Sequence, residues 1–294
     1  LGKMEVVPFK KGENEIRENI EESKKVNIVF LVNANRRLAK FKNDITASIL
    51  QVKDEFWEKA ETGNLKVGVA IYRDLRKDRD DNYIYDQVVE LVQAKNISSI
   101  KSQLDKIDYV SSVNDNKWEA VYYGIDNVID EYDFNPDETN IIFLLGIGGN
   151  NFAKNCGYGD GFRLSDKTDI DESKLEQKIA KNKIHLHSIQ LGYDQSDPDA
   201  DRDFIDQMRC LTLGAAKVSF NKYRNVAMAA GSSIQQPDME PLRSNVVAVV
   251  NGDLSSRVYS PNNGKEINEN ELVKNVNNSI KSTLEHVEEF NGQL

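Results

Sequence analysis

The chain has 294 residues, 39% of them hydrophobic and 29% charged, and a formal net charge of -10 at pH 7. The acidic balance argues against nucleic acids and anionic membrane surfaces as partners, because both bind basic patches. The longest apolar runs are far too short to span a bilayer, so we expect no direct membrane insertion. The sequence begins without an initiator methionine or a signal-peptide pattern, so we expect a fragment of a longer polypeptide.

Apolar patterning predicts strands and helices in alternation along most of the chain. Strands are predicted at 4–9, 26–32, 66–72, 83–91, 140–145, 183–191 and 217–220, and helices at 13–24, 38–59, 98–107, 118–132, 171–180 and 201–213. This alternation predicts an α/β fold with a doubly wound, mostly parallel central sheet and helices on both faces.

The strand at 26–32 is nearly all apolar, which is typical of a strand buried on both faces at the centre of a sheet. It ends in Asn33-Ala34-Asn35-Arg36-Arg37, here called the corner, and Leu38 opens a helical pattern. In an open α/β sheet, ligands bind where a central strand ends and turns into a helix. The corner is therefore the first candidate site.

The end of the chain departs from this alternation. Residues 246–259 predict a β-hairpin turning at Asn251-Gly252, followed by a helix at 268–290. We expect the hairpin to form a small accessory sheet, with the strand at 4–9 as a further member. The predicted organisation is an N-terminal extension (1–25), a central domain (26–225) and a C-terminal extension (226–294).

Three phrases together carry a resemblance to a known family. They are V-G-V-A-I-Y-R-D at 67–74, W-E-A-V-Y-Y-G-I at 118–125, and I-H-L-H-S-I-Q-L-G with the later D-F-I-D-Q-M. With the order of elements, residues 26–225 resemble the von Willebrand factor A-type (VWA) domain. The resemblance implies a metal-ion-dependent adhesion site at the carboxyl edge of the sheet, and protein partners.

The metal-binding pattern of that family is altered in this sequence. Its first motif, Asp-x-Ser-x-Ser, falls on Asn33, Asn35 and Arg37, and its last aspartate falls on Ile147. Its middle-loop ligand falls near Asp115 or Asn116. Since Mg²⁺ requires hard oxygen ligands and at least one or two carboxylates, we expect a degenerate site with no metal or other cofactor. We also hypothesise that the Arg37 guanidinium replaces the metal and pairs with Asp115.

The resemblance implies a non-enzymatic interaction module, a structural subunit of a larger assembly. The overall sequence also resembles A-type domains in accessory subunits of the type VI secretion apparatus of Bacteroidota, which implies an extracytoplasmic location. The expected partner surface comprises Asn33, Asn35, Arg36, Arg37, Tyr72, Arg73, Asp74, Asp115, Asn116, Trp118, Gly148 and Asn150. Tyr72 and Trp118 are binding anchors or, alternatively, core residues. The alternative function is a metal-dependent adhesion or ligand-binding receptor with a non-standard site.

Other motifs have competing interpretations. The acidic run at 194–203 suggests either a calcium-binding loop or an acidic segment at the start of a helix. His185 and His187 suggest either half of a zinc site or two residues of a packed strand. The glycines at 146–149 suggest a dinucleotide loop or a close approach of the backbone to the corner. We expect Cys156 and Cys210 to be free thiols, with a disulfide as the alternative.

Overall fold

The computed structural model describes residues 24–74, 84–110, 118–151, 153, 156, 170–192, 198–229, 238–243, 246–251, 253–261 and 265–293. Its strands are β1 (Val26–Asn33), β2 (Leu65–Tyr72), β3 (Tyr85–Gln93), β4 (Thr139–Gly146), β5 (Ile184–Gln190), β6 (Asp238–Arg243), β7 (Val246–Asn251) and β8 (Leu254–Tyr259). Its α-helices are α1 (Lys42–Glu55), α2 (Trp57–Glu61), α3 (Lys101–Leu104), α4 (Val121–Glu131), α5 (Glu172–Lys181), α6 (Pro198–Ala229) and α7 (Glu269–Gln293). The segments Arg36–Phe41 and Ala94–Ile100 are 3-10 helices. The strand predicted at 4–9 lies outside the described residues, as does the helix predicted at 13–24 apart from its last residue.

All eight strands belong to one sheet with the order β3-β2-β1-β4-β5-β8-β7-β6. The five strands from β2 to β8 in that order pair in parallel, whereas β3 and the pair β7–β6 add antiparallel strands at the two ends. The predicted doubly wound α/β fold is confirmed. The expected separate accessory sheet is wrong, because β8 pairs in parallel with β5 and so joins the hairpin to the main sheet.

The central strands are buried because they are apolar on both faces. Every residue of β1 and of β4 is buried. One hydrophobic cluster fills the space between the sheet and helices α1 and α7, and a second lies between the sheet and helices α4, α5 and α6. Because β1, β2, β4 and β5 are parallel, their carboxyl ends meet at one edge of the sheet, where the corner lies.

The C-terminal part corrects two predictions. The predicted strand at 217–220 is wrong, since these residues belong to α6, where Ala215, Ala216 and Ser219 are buried at helical spacing. The predicted hairpin is present, but its register pairs Asn251 with Leu254, so the connection falls one residue later than Asn251-Gly252. The division into a central domain and two extensions stays a prediction. Among the helices in the described ranges, none is both long and apolar enough to cross a membrane.

The predicted helix at 38–59 is interrupted twice. A 3-10 helix ends at Phe41, and the backbone of Phe56 leaves helical geometry (φ -117, ψ 39) between α1 and α2. The last hydrogen bond of α1 ends at this residue, from Phe56 N to Val52 O at 3.1 Å, and the first of α2 starts there, from Ala60 N to Phe56 O at 3.0 Å. α1 also pairs with α7 through Glu55 and Lys281.

Candidate functional site

The corner follows β1 between the ends of β2 and β4, the position expected for a ligand site. Ala34 continues the strand pairing, donating to Tyr72 O at 2.9 Å and accepting from Val110 N at 3.0 Å. The chain then turns into the 3-10 helix Arg36–Phe41, which places Arg36 in solvent and leaves Arg37 partly buried. The backbone of the corner is thus held on both sides by neighbouring segments.

The two corner asparagines use their side-chain oxygens within the turn. Asn33 Oδ1 accepts from the Asn35 backbone amide at 2.8 Å, and Asn35 Oδ1 accepts from the Arg37 amide at 3.0 Å. These backbone donors set the orientation of both side-chain amides, because only an oxygen can accept from them. The nitrogen of Asn35 consequently faces inwards and donates to Glu119 Oε1 at 2.7 Å.

Glu119 is the carboxylate that this site brings to the corner, and sequence reasoning missed it. It lies two residues before the start of α4, is fully buried, and has Arg37 Nη2 3.8 Å from its Oε1. Burial, and secondarily the charge of Asp74, raises the pKa of Glu119 to about 8, while Arg37 and the Asn35 hydrogen bond act in the opposite direction. Asp115 and Asn116, the predicted middle-loop residues, lie outside the described residues. The available clue in W-E-A-V-Y-Y was an acid two residues before the start of the helix.

The glycine-rich segment after β4 is packed against α6. A β-carbon at Gly149 would lie 2.6 Å from Gln207 Oε1 and 2.9 Å from the backbone of Asp203 and Phe204. Gln207 in turn accepts from Asn150 N at 2.6 Å, and Asn150 Oδ1 accepts from Tyr122 N at 2.9 Å in the first turn of α4. Gly149 therefore allows close packing against α6, and a phosphate would find no space there; the approach of this segment to the corner stays a prediction.

Of the expected partner-surface residues that the structure describes, most are buried and Arg36 is the exposed one. Tyr72, Asp74, Gly148 and Asn150 are buried, as are Asn33, Asn35 and Ile147 at the expected metal position, and Arg73 is 9% exposed. Asp74 Oδ1 accepts from Asn151 Nδ2 at 2.7 Å, and Arg73 Nη2 donates to Asp108 O at 3.1 Å. Trp118 is half-buried and donates to Asp203 Oδ2 at 2.9 Å. Tyr72 is a core residue, which was the alternative to a binding anchor.

The corner's donor set fits a divalent cation poorly. Within the described part of the chain, Asn33 Nδ2, Tyr72 Oη and Glu119 Oε2 are buried without a hydrogen-bond partner. Two of these three can donate hydrogen bonds, and the amide oxygens that could bind Mg²⁺ already accept from the backbone. Ile147 contributes no ligand, and the Arg37 guanidinium would repel a cation. No group of three or more His, Cys, Asp or Glu side chains that could hold a metal occurs among the described residues.

The histidines have structural roles. His185 Nδ1 accepts from the Ser255 amide at 3.0 Å, and His187 Nε2 lies 2.8 Å from Thr283 Oγ1 on α7. Burial is the main reason that the pKa of His185 falls to about 3. These contacts of the two imidazole rings agree with the interpretation of His185 and His187 as residues of a packed strand.

The structure describes part of the acidic run and both cysteines. Asp203, buried in α6, accepts from Trp118; positions 193–197 lie outside the described residues, and the side chains of Asp199 and Asp201 are likewise not described. The expectation of free thiols is wrong, since Cys156 and Cys210 form a disulfide with a Cα–Cα distance of 5.4 Å. The bond ties the segment after β4 to α6, which the 54-residue separation in sequence gave no means to foresee.

Comparisons with known proteins give one family and several similar folds. The family model described as "TssR protein VWA domain" matches residues 12–246. Among curated proteins, none matches the sequence of the chain. A similar solved structure is the pilus adhesin SpaC from Lactobacillus rhamnosus GG in its open conformation, at 12% identity and a TM-score of 0.49, covering 90% of this chain and 30% of the adhesin.

Two smaller structures are also similar. BatB, a conserved hypothetical protein from Bacteroides thetaiotaomicron, has 14% identity and a TM-score of 0.36, with 57% of this chain and 67% of BatB covered. The SpRpn10 VWA domain has 8% identity and a TM-score of 0.36, with 61% of this chain and 81% of that domain covered. This chain spans less than a third of the adhesin's length.

Proposed function

Because the chain belongs to the family of TssR protein VWA domains, we propose that it is a non-enzymatic module that binds other proteins within a larger assembly. The resemblance to accessory subunits of the Bacteroidota type VI secretion apparatus supports a bacterial envelope machine as that assembly. The Cys156–Cys210 disulfide supports an extracytoplasmic location, since disulfides persist in oxidising compartments.

One observation carries this proposal: both amide oxygens of the corner accept from the backbone, while the Asn35 nitrogen donates to Glu119. In this arrangement the position that would hold a metal is replaced by an internal network of amides, a buried carboxyl group and the Arg37 guanidinium. The hypothesis of Arg37 as the replacement cation remains, with Glu119 as its partner in the described structure. The domain then binds through the shape and charge of its surface, with no bridging ion.

The partner surface we propose is centred on Arg36, which is exposed beside the corner. The buried residues behind it, including Tyr72, Asp74 and Asn150, hold the corner in shape. Their side chains are committed to packing or to contacts inside the domain, which also supports a non-enzymatic role. A catalytic acid or base needs access to a substrate, and Glu119 is fully buried.

The proposal is tested by photo-crosslinking from position 36 within the assembled envelope complex. A photoreactive phenylalanine analogue replaces Arg36, and a matched control places it at exposed Asp206 on α6, across the sheet. We expect a discrete crosslinked protein from position 36 only, with equal yield in EDTA and in Mg²⁺. Absence of a crosslink from position 36 would contradict the proposed surface.

The same experiment addresses the alternative of a metal-dependent adhesion receptor. In that case the crosslink would disappear in EDTA and return with added Mg²⁺ or Ca²⁺. The three unpartnered polar atoms at the corner are the observation in favour of some bound species there. Two of them are donors, which favours water over a cation.

A further inference from the structure

Trp57 is the one large hydrophobic side chain that is exposed among the residues described, with 59% of its surface accessible. It follows Phe56 at the interruption between α1 and α2. Phe56 is partly buried against the hydrophobic cluster, and Ala60 is fully buried on the same inner side. The interruption thus gives two consecutive aromatic residues opposite positions, one packed in the core and one in solvent.

Acidic side chains surround the exposed indole. Glu61 lies one turn after Trp57 on the same face of α2, Glu58 is the next residue, and Asp54 lies three positions before Trp57 at the end of α1. All three carboxylates are exposed, and none of them forms a salt bridge within the described ranges. We call these four residues, Asp54, Trp57, Glu58 and Glu61, the Trp57 patch.

Two nearby lysines are directed away from the Trp57 patch. Lys53 Nζ donates to Lys95 O at 3.4 Å, on the side facing the 3-10 helix Ala94–Ile100, and Lys281 pairs with Glu55. The three acids around the indole are therefore not neutralised by these cations. Lys59, partly buried on α2, adds one positive charge beside the three carboxylates, so the Trp57 patch combines an accessible aromatic face with an excess of negative charge.

The patch lies at the opposite edge of the sheet from the corner. α1 starts beside the corner and runs antiparallel to the strands, and the chain passes from α2 into Leu65, the first residue of β2. Because the beginning of β2 is at the amino edge of the parallel strands, Trp57 lies near that edge. A partner bound there would not obstruct Arg36.

We infer that the Trp57 patch docks a basic segment of a partner protein, with an arginine or lysine over the indole and neighbouring cations on the carboxylates. Cation–π contacts are strongest with tryptophan, and tryptophan is enriched among residues that dominate binding energy. Charge complementarity decides the class of partner: three exposed carboxylates attract a basic peptide and repel an anionic membrane or a nucleic acid.

Binding is measured by fluorescence anisotropy with a fluorescein-labelled peptide of alternating arginine and glycine, and with the same peptide carrying citrulline for arginine. We expect the arginine peptide to bind and the citrulline peptide to fail. Trp57→Ala should weaken binding about fivefold, corresponding to the loss of one exposed cation–π contact. Glu58→Gln/Glu61→Gln should weaken it further and flatten its salt dependence.

A matched control removes the same charge elsewhere. Asp206→Asn/Glu90→Gln loses two exposed carboxylates outside the patch and should bind the arginine peptide as the unmodified protein does. Equal weakening by this control would overturn the proposal, since binding would then follow net charge alone. Binding of the arginine peptide by Trp57→Ala with the affinity of the unmodified protein would also overturn the proposal. A thermal melt and a circular dichroism spectrum check that this variant is folded.

A lipid surface is the competing occupant of the Trp57 patch, and a separate experiment tests it. Phosphatidylcholine vesicles are added to the protein and to Trp57→Ala while tryptophan emission is recorded. The proposal requires no change in emission with vesicles. A blue shift that Trp57→Ala abolishes would assign the patch to a membrane interface and overturn the proposal. These results are independent of the corner, because no corner residue is altered.

Discussion

The side-chain nitrogen of Asn35 donates to Glu119 Oε1 at 2.7 Å, although the two residues are 84 positions apart in sequence. The match to the family's pattern predicts Asn35 at a serine of the metal-binding motif, and Glu119 lies two residues before α4. The same asparagine caps the 3-10 helix through its oxygen, so its amide joins the turn to the buried carboxyl group. This pair links the corner to the segment that precedes α4.

Replacing Glu119 by glutamine should change how stability depends on pH. Since the folded-state pKa is raised to about 8 from 4.5, the folded protein holds a proton that the unfolded chain releases, and the contribution of Glu119 to stability declines as pH rises from 4.5 towards 8. The slope can reach about 1.4 kcal/mol per pH unit. In urea unfolding from pH 5 to 8, the free energy of unfolding of Glu119→Gln should increase relative to that of the unmodified protein as pH rises. Parallel curves would refute this, and Glu90→Gln, at an exposed position, serves as the control.

The interaction between Arg37 and Glu119 should stabilise the protein only at pH values at which the Glu119 carboxyl group is ionised. The guanidinium is partly exposed and 3.8 Å from Glu119 Oε1, so we expect an interaction of about 0.5–1 kcal/mol rather than that of a tight buried pair. A double-mutant cycle of Arg37→Met with Glu119→Gln should give this coupling at pH 9 and much less at pH 6. Additive effects at pH 9 would show that Arg37 does not compensate the buried charge.

The fold was predictable because its central strands are apolar on both faces and its helices alternate with them. β1 and β4 show this most clearly, with every residue buried. The position of β8 was not predictable, because hydrophobic patterning does not say which strand a hairpin will pair with. The strand predicted at 217–220 failed since valine and phenylalanine favour strands locally, while burial of Ala215, Ala216 and Ser219 favours the helix.

The candidate site was predicted in part. Asn33, Asn35, Arg37 and Ile147 lie at the corner or beside it, since parallel strands end at one edge. Glu119 was missed because the motif was aligned to the polar loop before it, and one sequence does not show which acid turns inwards. The Cys156–Cys210 pairing also depends on tertiary contact, which spacing alone does not reveal.

Reduction of the disulfide should lower the thermal stability of the protein. A cross-link between residues 54 positions apart restricts the unfolded chain, which corresponds to about 2–4 kcal/mol. Cys156→Ser/Cys210→Ser and the dithiothreitol-treated protein should therefore melt at the same lowered temperature. Thiol titration of the unreduced protein in guanidinium should find no free thiol; two reactive thiols would contradict the pairing.

His185 should make the protein sensitive to acid. Burial lowers its folded-state pKa to about 3 from 6.5, so below pH 6.5 the unfolded chain binds a proton that the folded protein excludes, and stability falls as pH decreases. Its neighbours His286 and Lys183 act in the same direction, and the Ser255 amide opposes them. His185→Asn keeps an acceptor for Ser255 without titrating, so it should lose less stability between pH 6.5 and 4.5. Equal acid slopes in urea unfolding would contradict this assignment.

Calorimetric titration with Mn²⁺ and Mg²⁺ tests the central claim most directly, using the unmodified protein beside a variant with the family's ligands restored, Asn33→Asp/Asn35→Ser/Arg37→Ser/Ile147→Asp. The restored variant supplies the carboxylates and hydroxyl groups that such ions require. We predict no saturable heat from the unmodified protein and one-site binding by the restored variant. One-site binding by the unmodified protein, lost in Glu119→Gln, would contradict the proposal that an internal network has replaced the metal.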